Sequence, residues 1–433
     1  MSDSQGIDRR EFVKAAVAIG GASALSACLD RGPNIDVPRG PAAPDTSFPE
    51  RQHAWNAFLP TDDAGNNHHP RHRVLLALEY DGDAPTDAER EAVENALRGV
   101  ERAYERSADG LLLTVSYSPY YFQRFDESLP ESVDLPEPEA LASFENPDPD
   151  DIDALVHLAS DHAEVVLGAE EALKGEVDEL NGVSQPEDSL LSAFSVRERR
   201  TGFIGDGLPA NHQDVDGVPD SKPVPEDAPL YMGFESGFEG NQPGEDRVTI
   251  QEGPFAEGAT QHLSFIQLNL QQWYEQDSYD QRVSKMFCPH HAATETVEGT
   301  GKNLGSDPQM DDCGDAEETA RTSGVVGHEQ KMVSVRENDK PIILRRDFDS
   351  TDGGRASVHF LSLQREITDF VSTREAMNGD AVANNSAVGQ RVNNGILQYM
   401  NVVRRGNFLL PPRSLRALPP ANPEQATEVA RVA

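Results

Sequence analysis

Cysteine, basic residues and long apolar runs are all scarce in this chain of 433 residues. Three cysteines are too few for the disulfide framework of a small secreted domain, so a hydrophobic core must stabilise the fold. Lysine and arginine number 37 against 75 acidic residues, which gives a net charge of -38. Such a surface repels nucleic acid and anionic lipid, so nucleic acid is excluded as a partner. We interpret the acidity as the solvated coat of a halophilic protein.

The first 28 residues have the pattern of an export signal. The stretch "DRREFVKAAVAIGGASALSACLD" places Arg9 and Arg10 ahead of an apolar run that is too short to span a bilayer. Twin arginines in this position resemble a Tat signal, and "LSAC" resembles a lipobox that ends at Cys28. The alternative is an ordinary cleavage site with an incidental cysteine. We therefore expect a Tat-exported protein that a lipid on Cys28 anchors to the outer face of the cell membrane.

Residues 29–70 are rich in proline, aspartate, glycine and histidine and have no apolar periodicity, which predicts a disordered tether. His68, His69 and His72 form a short histidine cluster at the end of this segment. Such a cluster in a linker is a weak candidate for a metal site.

Short apolar strands and amphipathic helices alternate beyond the tether. Residues 71–201 have the order β-α-β-β-α-β, which is typical of a ferredoxin-like domain. Residues 202–420 contain a second, less regular copy, and residues 421–433 form a tail. The predicted fold class is α+β: two ferredoxin-like (βαββαβ) domains with antiparallel sheets and flanking helices, arranged like a dimeric α+β barrel.

Four stretches carry a family resemblance: "LLLTVSYSPYYFQRF", "GFIGDGLPA", "GATQHLSFIQLNLQQW" and "GHEQK…IILRRDFDSTDGGRASVHFLSLQ". In this order, over roughly residues 72–415, the chain resembles the dye-decolourising peroxidases. The resemblance implies a heme-dependent peroxidase that holds heme b, reduces hydrogen peroxide and oxidises a small-molecule reductant. The sequence leaves the reductant and a homo-oligomer open.

The resemblance also implies roles for individual residues. His328 would be the proximal ligand of the heme iron, Asp206 the distal acid and Arg345 the distal cation. Arg346 is the alternative to Arg345, because one sequence does not fix the register of the doublet, and Asp347 would line the pocket or neutralise Arg346. Peroxide chemistry needs these three kinds of group: an imidazole on the iron, a proton shuttle, and a fixed charge where the O–O bond breaks.

Each assignment has an ordinary structural alternative. A lone histidine in a loop is more often a surface or core residue than a ligand, and an aspartate between glycines is more often a turn residue. His359 alternates with apolar residues, which favours a core histidine over a cofactor contact. Trp273, Tyr274 and Tyr399 would relay electrons to large substrates or only pack the core.

The chain departs from the family pattern in two places. Gly205 is an extra residue in the "G-F-x-D-G" signature, and Ser264 and Phe265 stand where the strand before Trp273 usually has an arginine. These departures keep two alternatives open: a heme-binding or non-catalytic lipoprotein, and a deferrochelatase-like protein that handles heme iron.

Cys288 and Cys313 are the remaining cysteines and lie 25 positions apart. In an exported domain they are expected to form a disulfide. The stretch "CPHH" allows a metal site with Cys313 instead, although its spacing matches no standard zinc motif.

We predict that Cys28 is the lipidated N-terminus of the mature protein. Because one acyl chain binds membranes only marginally, we expect a second chain on the same residue. Mass spectrometry of the N-terminal peptide, with a Cys28→Ser variant as the control, measures the modification. An unmodified peptide that runs through Cys28 would contradict the prediction.

Overall fold

The computed structural model describes residues 36–235, 241–307, 309–338 and 340–424. The predicted signal with Cys28 and most of the predicted tail, residues 421–433, lie outside these ranges. Among the described residues, no helix combines the length and the apolar character that a membrane crossing requires. The described chain is α+β, as the sequence predicted, and its main sheet closes into a barrel of eight antiparallel strands.

The barrel strands and the principal helices follow one another along the chain as two similar halves. The strands are β1 (His72–Tyr80), β2 (Leu112–Tyr117), β3 (Ala154–Ser160), β4 (Phe194–Phe203), β5 (Ala259–Leu268), β6 (Phe348–Ser350), β7 (Ser357–Gln364) and β8 (Met400–Leu410). The helices are α1 (Asp87–Ala103), α2 (Ala163–Leu173), α3 (Tyr279–Met286), α4 (Pro289–Ala293), α5 (Ala316–Ser323), α6 (His328–Met332) and α7 (Ile367–Asn378).

Shorter elements fill the connections. Two-residue strands lie at Asp148–Pro149, Glu179–Leu180, Val183–Ser184, Arg336–Glu337, Lys340–Pro341 and Leu344–Arg345. Single-turn helices lie at Pro44–Ser47, Pro119–Phe122, Leu208–Asn211, Glu245–Val248 and Asp380–Ala383, and a π-helix spans Gln272–Gln276.

Each half of the barrel has the ferredoxin-like strand order. The first half runs β4-β1-β3-β2 and the second runs β8-β5-β7-β6, so both have the order 4-1-3-2. The halves join where Leu409 of β8 pairs with Tyr117 of β2, and where Asp349 of β6 pairs with Phe203 of β4. The prediction of two ferredoxin-like units in a dimeric α+β barrel arrangement is therefore confirmed. The predicted boundary between residues 201 and 202 falls inside β4.

Alternation along the strands separates the two faces of the sheet. On β1, Val74 and Leu76 pack beneath α1 and α2, whereas Leu75 and Ala77 belong to the core inside the barrel. This is the period-2 pattern of a strand that is buried on both sides. The helix α1 begins at the predicted capping box, in which the hydroxyl of Thr86 accepts from the backbone N–H of Glu89.

The segment before β1 is not a disordered tether, which corrects the prediction for residues 36–70. Trp55 is fully buried against Leu112 and Ala159 at one mouth of the barrel. The side chain of Gln52 bonds both the carbonyl and the N–H of Val115, at 3.1 and 2.9 Å. We call residues 51–59 the plug. Its sequence has no apolar periodicity because the backbone is irregular. A few separate side chains make the contacts, instead of one face of a helix or strand.

We predict that Trp55→Ala lowers the free energy of unfolding by about 3–5 kcal/mol, because the substitution empties a large buried site. Chemical denaturation followed by circular dichroism measures the change. Leu191→Ala is the control, since Leu191 is 45% exposed, and it should shift stability by less than about 0.5 kcal/mol. Equal stability of Trp55→Ala and the parent would show that the plug does not contribute to the fold.

Candidate functional site

The outer faces of β5, β7 and β8 meet helices α6 and α7 across a cavity. The cavity has two adjoining lobes, whose empty space of about 1010 and 840 Å³ includes the open solvent at their mouths. His328, Glu329 and Arg345 line both lobes. These three polar side chains therefore face one continuous space.

Apolar side chains form most of the cavity wall. They come from the sheet and from the helices that cover it: Ile266, Met332, Ile342, Ile343, Phe360, Phe370, Met377, Met400 and Val402. A flat hydrophobic molecule would remove this surface from water, at roughly 25 cal/mol for each Å² buried.

His328 is the first residue of α6. It is half-buried and lines the cavity. The preceding residue, Gly327, is the N-cap, where a Cβ atom would lie 1.6 Å from the carbonyl oxygen of Phe287. Only glycine fits this contact, which fixes the start of α6 and the position of the imidazole. The Nδ1 atom of His328 is buried with no hydrogen-bond partner among the described residues.

The imidazole of His328 is held neutral. Burial lowers its pKa to about 3, and the nearby charges of Lys331 and Arg345 act in the same direction. A neutral imidazole has a free lone pair, which is the form that binds a metal ion. His328 is thus available as a ligand across the whole physiological pH range.

The pKa of Glu329, the next residue, is shifted in the opposite direction. Burial raises the pKa of its carboxyl group to about 7, although the charge of Arg345 opposes the shift. Its Oε2 atom is buried without a hydrogen-bond partner among the described residues. The carboxyl group therefore exchanges its proton near neutral pH, beside the histidine.

The arginine doublet is divided between two environments. Leu344 and Arg345 pair with β7, and alternation sends the side chains of Arg345 and Asp347 into the cavity. Arg346 points the other way, into the mouth of the barrel, where its guanidinium lies 4.2 Å from the ring centroid of Trp55. Arg345 is therefore the cavity arginine, and the alternative assignment to Arg346 is wrong.

Asp206 does not line the described cavity, which corrects the predicted trio. It lies in the loop after β4, is exposed, and accepts a 2.6 Å hydrogen bond from the ammonium group of Lys302. Gly205 and Gly207 flank it with φ angles of +115° and +81°, so the loop turns in a way that other residues rarely allow. Asp347 and the buried Asp349 are the aspartates that share the second lobe with Arg345, and Asp347 is the one that the sequence prediction named.

An arginine on a neighbouring strand occupies the place of the one that β5 lacks. Ser264 of β5 pairs directly with Arg405 of β8, and both line the first lobe. Arg405 donates to Glu145 at 2.7 Å, but its Nε and Nη1 atoms are buried without partners among the described residues. The sequence prediction missed β8 and with it this residue, although "VVRRGNFLL" has the apolar character of a strand.

A disulfide joins Cys288 and Cys313 next to the histidine helix. The Nε2 atom of Gln330 in α6 donates to the carbonyl oxygen of Cys313 at 2.9 Å. His291 lies near the same sulfurs, at 3.7 Å from Sγ of Cys313, while His290 is exposed. The covalent link therefore fixes the loop against which α6 packs. It also leaves neither sulfur as a free thiol for the metal site that the sequence allowed.

The remaining candidates lie away from the cavity wall. His359 is inside the barrel, 3.1 Å from Asp352. Trp273 and Tyr399 pack edge to face with centroids 4.7 Å apart, and Tyr274 donates to the carbonyl oxygen of Tyr231 at 2.9 Å. His68, His69 and His72 do not form a metal-ligand group in the part of the chain that the structure describes. Except for the exposed His68, these aromatic and histidine side chains are buried or half-buried.

Solved structures that are similar to this chain include several DyP-type peroxidases. The encapsulated DyP-type peroxidase of Mycobacterium smegmatis is 15% identical, with a TM-score of 0.54 over 84% of this chain and 99% of that one. A DyP-type peroxidase of Streptomyces coelicolor is 17% identical, with a TM-score of 0.54 over 82% and 92%. Ferric DtpA of Streptomyces lividans is 18% identical, with a TM-score of 0.54 over 86% and 96%. At these identities the likeness shows the shared fold.

Sequence comparison identifies a family whose function is not known. No curated protein matches the chain. Residues 70–412, which include the whole barrel and every cavity residue named above, match the profile described as "Family of unknown function (DUF7405)". The protein belongs to this family of unknown function, and it has the fold of the DyP-type peroxidases.

Proposed function

We propose that the protein is a heme peroxidase of the dye-decolourising type, which reduces hydrogen peroxide and oxidises a small-molecule reductant. The observation that carries the proposal is the cavity wall, in which a neutral, unpartnered imidazole at His328 and a guanidinium at Arg345 face the same apolar space. The fold supports the proposal, because structures with this barrel include peroxidases and a ferric protein.

The cavity residues fit heme b. Its apolar walls suit the porphyrin, and His328 offers a nitrogen ligand for the iron. Arg405 offers two buried N–H donors without partners among the described residues, which suits a propionate carboxylate. The guanidinium also lies 5.8 Å from the ring centroid of Phe370, so its plane is already positioned by packing.

When bound, heme supplies the redox chemistry of peroxide cleavage and of electron withdrawal from the reductant. The chain supplies the positioned groups. Arg345 would stabilise negative charge on the departing oxygen, because a guanidinium is a cation with several N–H donors. Asp347 follows it at the i+2 position, on the same face, and moves the proton between the peroxide oxygens. In this proposal Asp347 takes the role that the family resemblance gave to Asp206.

The second candidate function is heme binding or heme-iron handling without peroxidase turnover. The observation that favours it is the exposed position of Asp206 and its ion pair with Lys302. Both candidates use His328 as the ligand, and they differ in whether Arg345 and Asp347 act on peroxide.

The proposed setting of this activity comes from the sequence alone. We propose that the protein is exported through the Tat system and is held at the outer face of the membrane by a lipid on Cys28. The charge of -38 supports a salt-rich environment. Export of a folded protein is compatible with a cofactor that is inserted before translocation.

We predict that His328→Ala abolishes or severely weakens heme binding, because the substitution removes the nitrogen that would bind the iron. Titration of the protein with hemin, followed through the Soret band, measures affinity and ligation. The control is His290→Ala, since His290 is an exposed histidine, and it should titrate like the parent. An unchanged Soret spectrum and affinity in His328→Ala would refute the ligand assignment.

We predict that Arg345→Leu retains heme but reacts with peroxide at least about a hundredfold more slowly, because the charge stabilisation is lost. Asp347→Asn should slow the reaction as well, whereas Asp206→Asn should not. Stopped-flow mixing of the heme-loaded protein with hydrogen peroxide measures the rate. The control Arg197→Leu removes an arginine that is 43% exposed and should react like the parent. Peroxide reactivity that is unaffected in both Arg345→Leu and Asp347→Asn would refute these two roles, whereas a heme-loaded parent that does not react with peroxide would favour the heme carrier.

A further inference from the structure

Two arginines lie together inside the mouth of the barrel, on the opposite side of the sheet from the cavity. Arg73 of β1 is fully buried and Arg346 is 2% exposed. Their guanidinium carbons lie 5.5 and 4.2 Å from the ring centroid of Trp55. The plug therefore covers two buried cations that the proposed peroxidase chemistry does not use.

The donors of Arg73 are only partly satisfied. Its Nε donates to the carbonyl oxygen of Pro70 at 3.1 Å, and its Nη1 donates to Nε2 of His157 at 3.2 Å. His157 acts as an acceptor because burial and the charge of Arg73 hold its pKa well below the usual value, so its ring is neutral. The Nη2 atom of Arg73 is buried without a partner among the described residues.

Arg346 has one unsatisfied donor of the same kind. Its Nη2 donates to the carbonyl oxygen of His53 at 2.6 Å and lies 3.3 Å from Oε1 of Glu245. That carboxylate oxygen also accepts from the backbone N–H groups of Trp55 and Asn56, at 2.6 and 2.9 Å. The Nε atom of Arg346 is buried without a partner among the described residues.

Few carboxylates are bonded to the arginines of this region, although Asp161 and Asp347 lie near enough to act on Arg73. Among the described residues, Glu245 is the one carboxylate paired with Arg346, and none is paired with Arg73. Arg106 lies close behind, is 5% exposed, and bonds only backbone oxygens of the plug through its Nη2 atom. Buried charges in proteins are normally paired, because an unpaired buried ion costs several kcal/mol.

Another buried arginine shows how this chain pairs such a charge elsewhere. Arg200 lies on the inner face of β4 and binds Asp150 through two hydrogen bonds, at 2.5 and 2.6 Å. Burial opposes the shift, but Asp150 and Glu198 hold the pKa of Arg200 above its usual value. Burial lowers the pKa of Arg73 to about 9, the charge of Arg346 adds to this shift, and the charges of Asp161 and Asp347 only partly oppose it. The cations at the barrel mouth therefore lack a counter-charge that the fold supplies to Arg200.

We propose that a small monovalent anion of the halide class binds inside the barrel mouth, where it accepts from Nη2 of Arg73 and Nε of Arg346. A single negative charge offsets the excess, and the two unpartnered N–H groups supply its ligands. The rings of Trp55, Phe348 and the neutral His157 lie around Arg73, and they offer few further donors, which suits a halide better than an oxyanion. The anion joins β1, the segment before β6 and the plug.

Bromide soaked into crystals of the full protein tests the site directly. Diffraction at the bromine absorption edge should show an anomalous peak within hydrogen-bond distance of both Arg73 and Arg346. Ordered water without an anomalous peak at this position would overturn the proposal, as would bromide bound only at surface sites.

Stability in solution provides the second test. Because an anion that binds only the folded state stabilises it, the unfolding temperature in sodium bromide should exceed that in sodium gluconate of the same concentration. Arg73→Met should remove this difference. Arg200→Met is the matched control: it removes a paired arginine, so it should lower stability but keep the difference between the two salts. An equal salt difference in Arg73→Met and the parent would contradict the site, and the crystal test remains decisive if Arg73→Met does not fold.

Discussion

Closure of the barrel is the constraint on which the rest of this structure depends. Two ferredoxin-like halves meet where Leu409 pairs with Tyr117 and where Asp349 pairs with Phe203, and Asp148–Pro149 adds a short pairing with β8. These pairings leave no open edge between the halves. Once the sheet is closed, each strand has one face inside the barrel and one face outside. Every side chain on a strand is then assigned to one of two environments by its position alone.

The second half uses this division to build both of its polar sites. Arg345 and Asp347 face outward into the cavity, and Arg346 between them faces inward to the plug. A shift of one residue in the register would exchange the two sets. The register is held by the pairing of Leu344 and Arg345 with β7. It is also held by a 2.7 Å hydrogen bond that the N–H of Arg346 donates to the carbonyl oxygen of Leu361.

The first half of the fold could be read from the sequence because its signals are local. The capping box at Thr86 and the alternation of "RVLLALEY" each need only a few neighbouring residues. The plug and β8 could not be read in this way. Trp55 is buried by strands that lie more than fifty residues later, and "VVRRGNFLL" carries two arginines whose partners, Glu198 and Glu145, are far away in the sequence. Contacts of this kind leave no periodic trace.

The acid of the candidate site could not be predicted from the sequence either. The sequence prediction grouped His328 with Arg345, and both line the cavity, because only the rest of α6 and the connection to β6 separate them along the chain. Asp206 comes from another part of the chain, and its direction depends on the turn that Gly205 and Gly207 allow. An extra residue in that turn changes where the side chain points without changing the motif that surrounds it. The cavity instead has acids that sit next to its own two key residues, Glu329 beside the histidine and Asp347 beside the arginine doublet. A proton carrier on the same connection as the cation moves with it, so the geometry between them survives changes in distant loops.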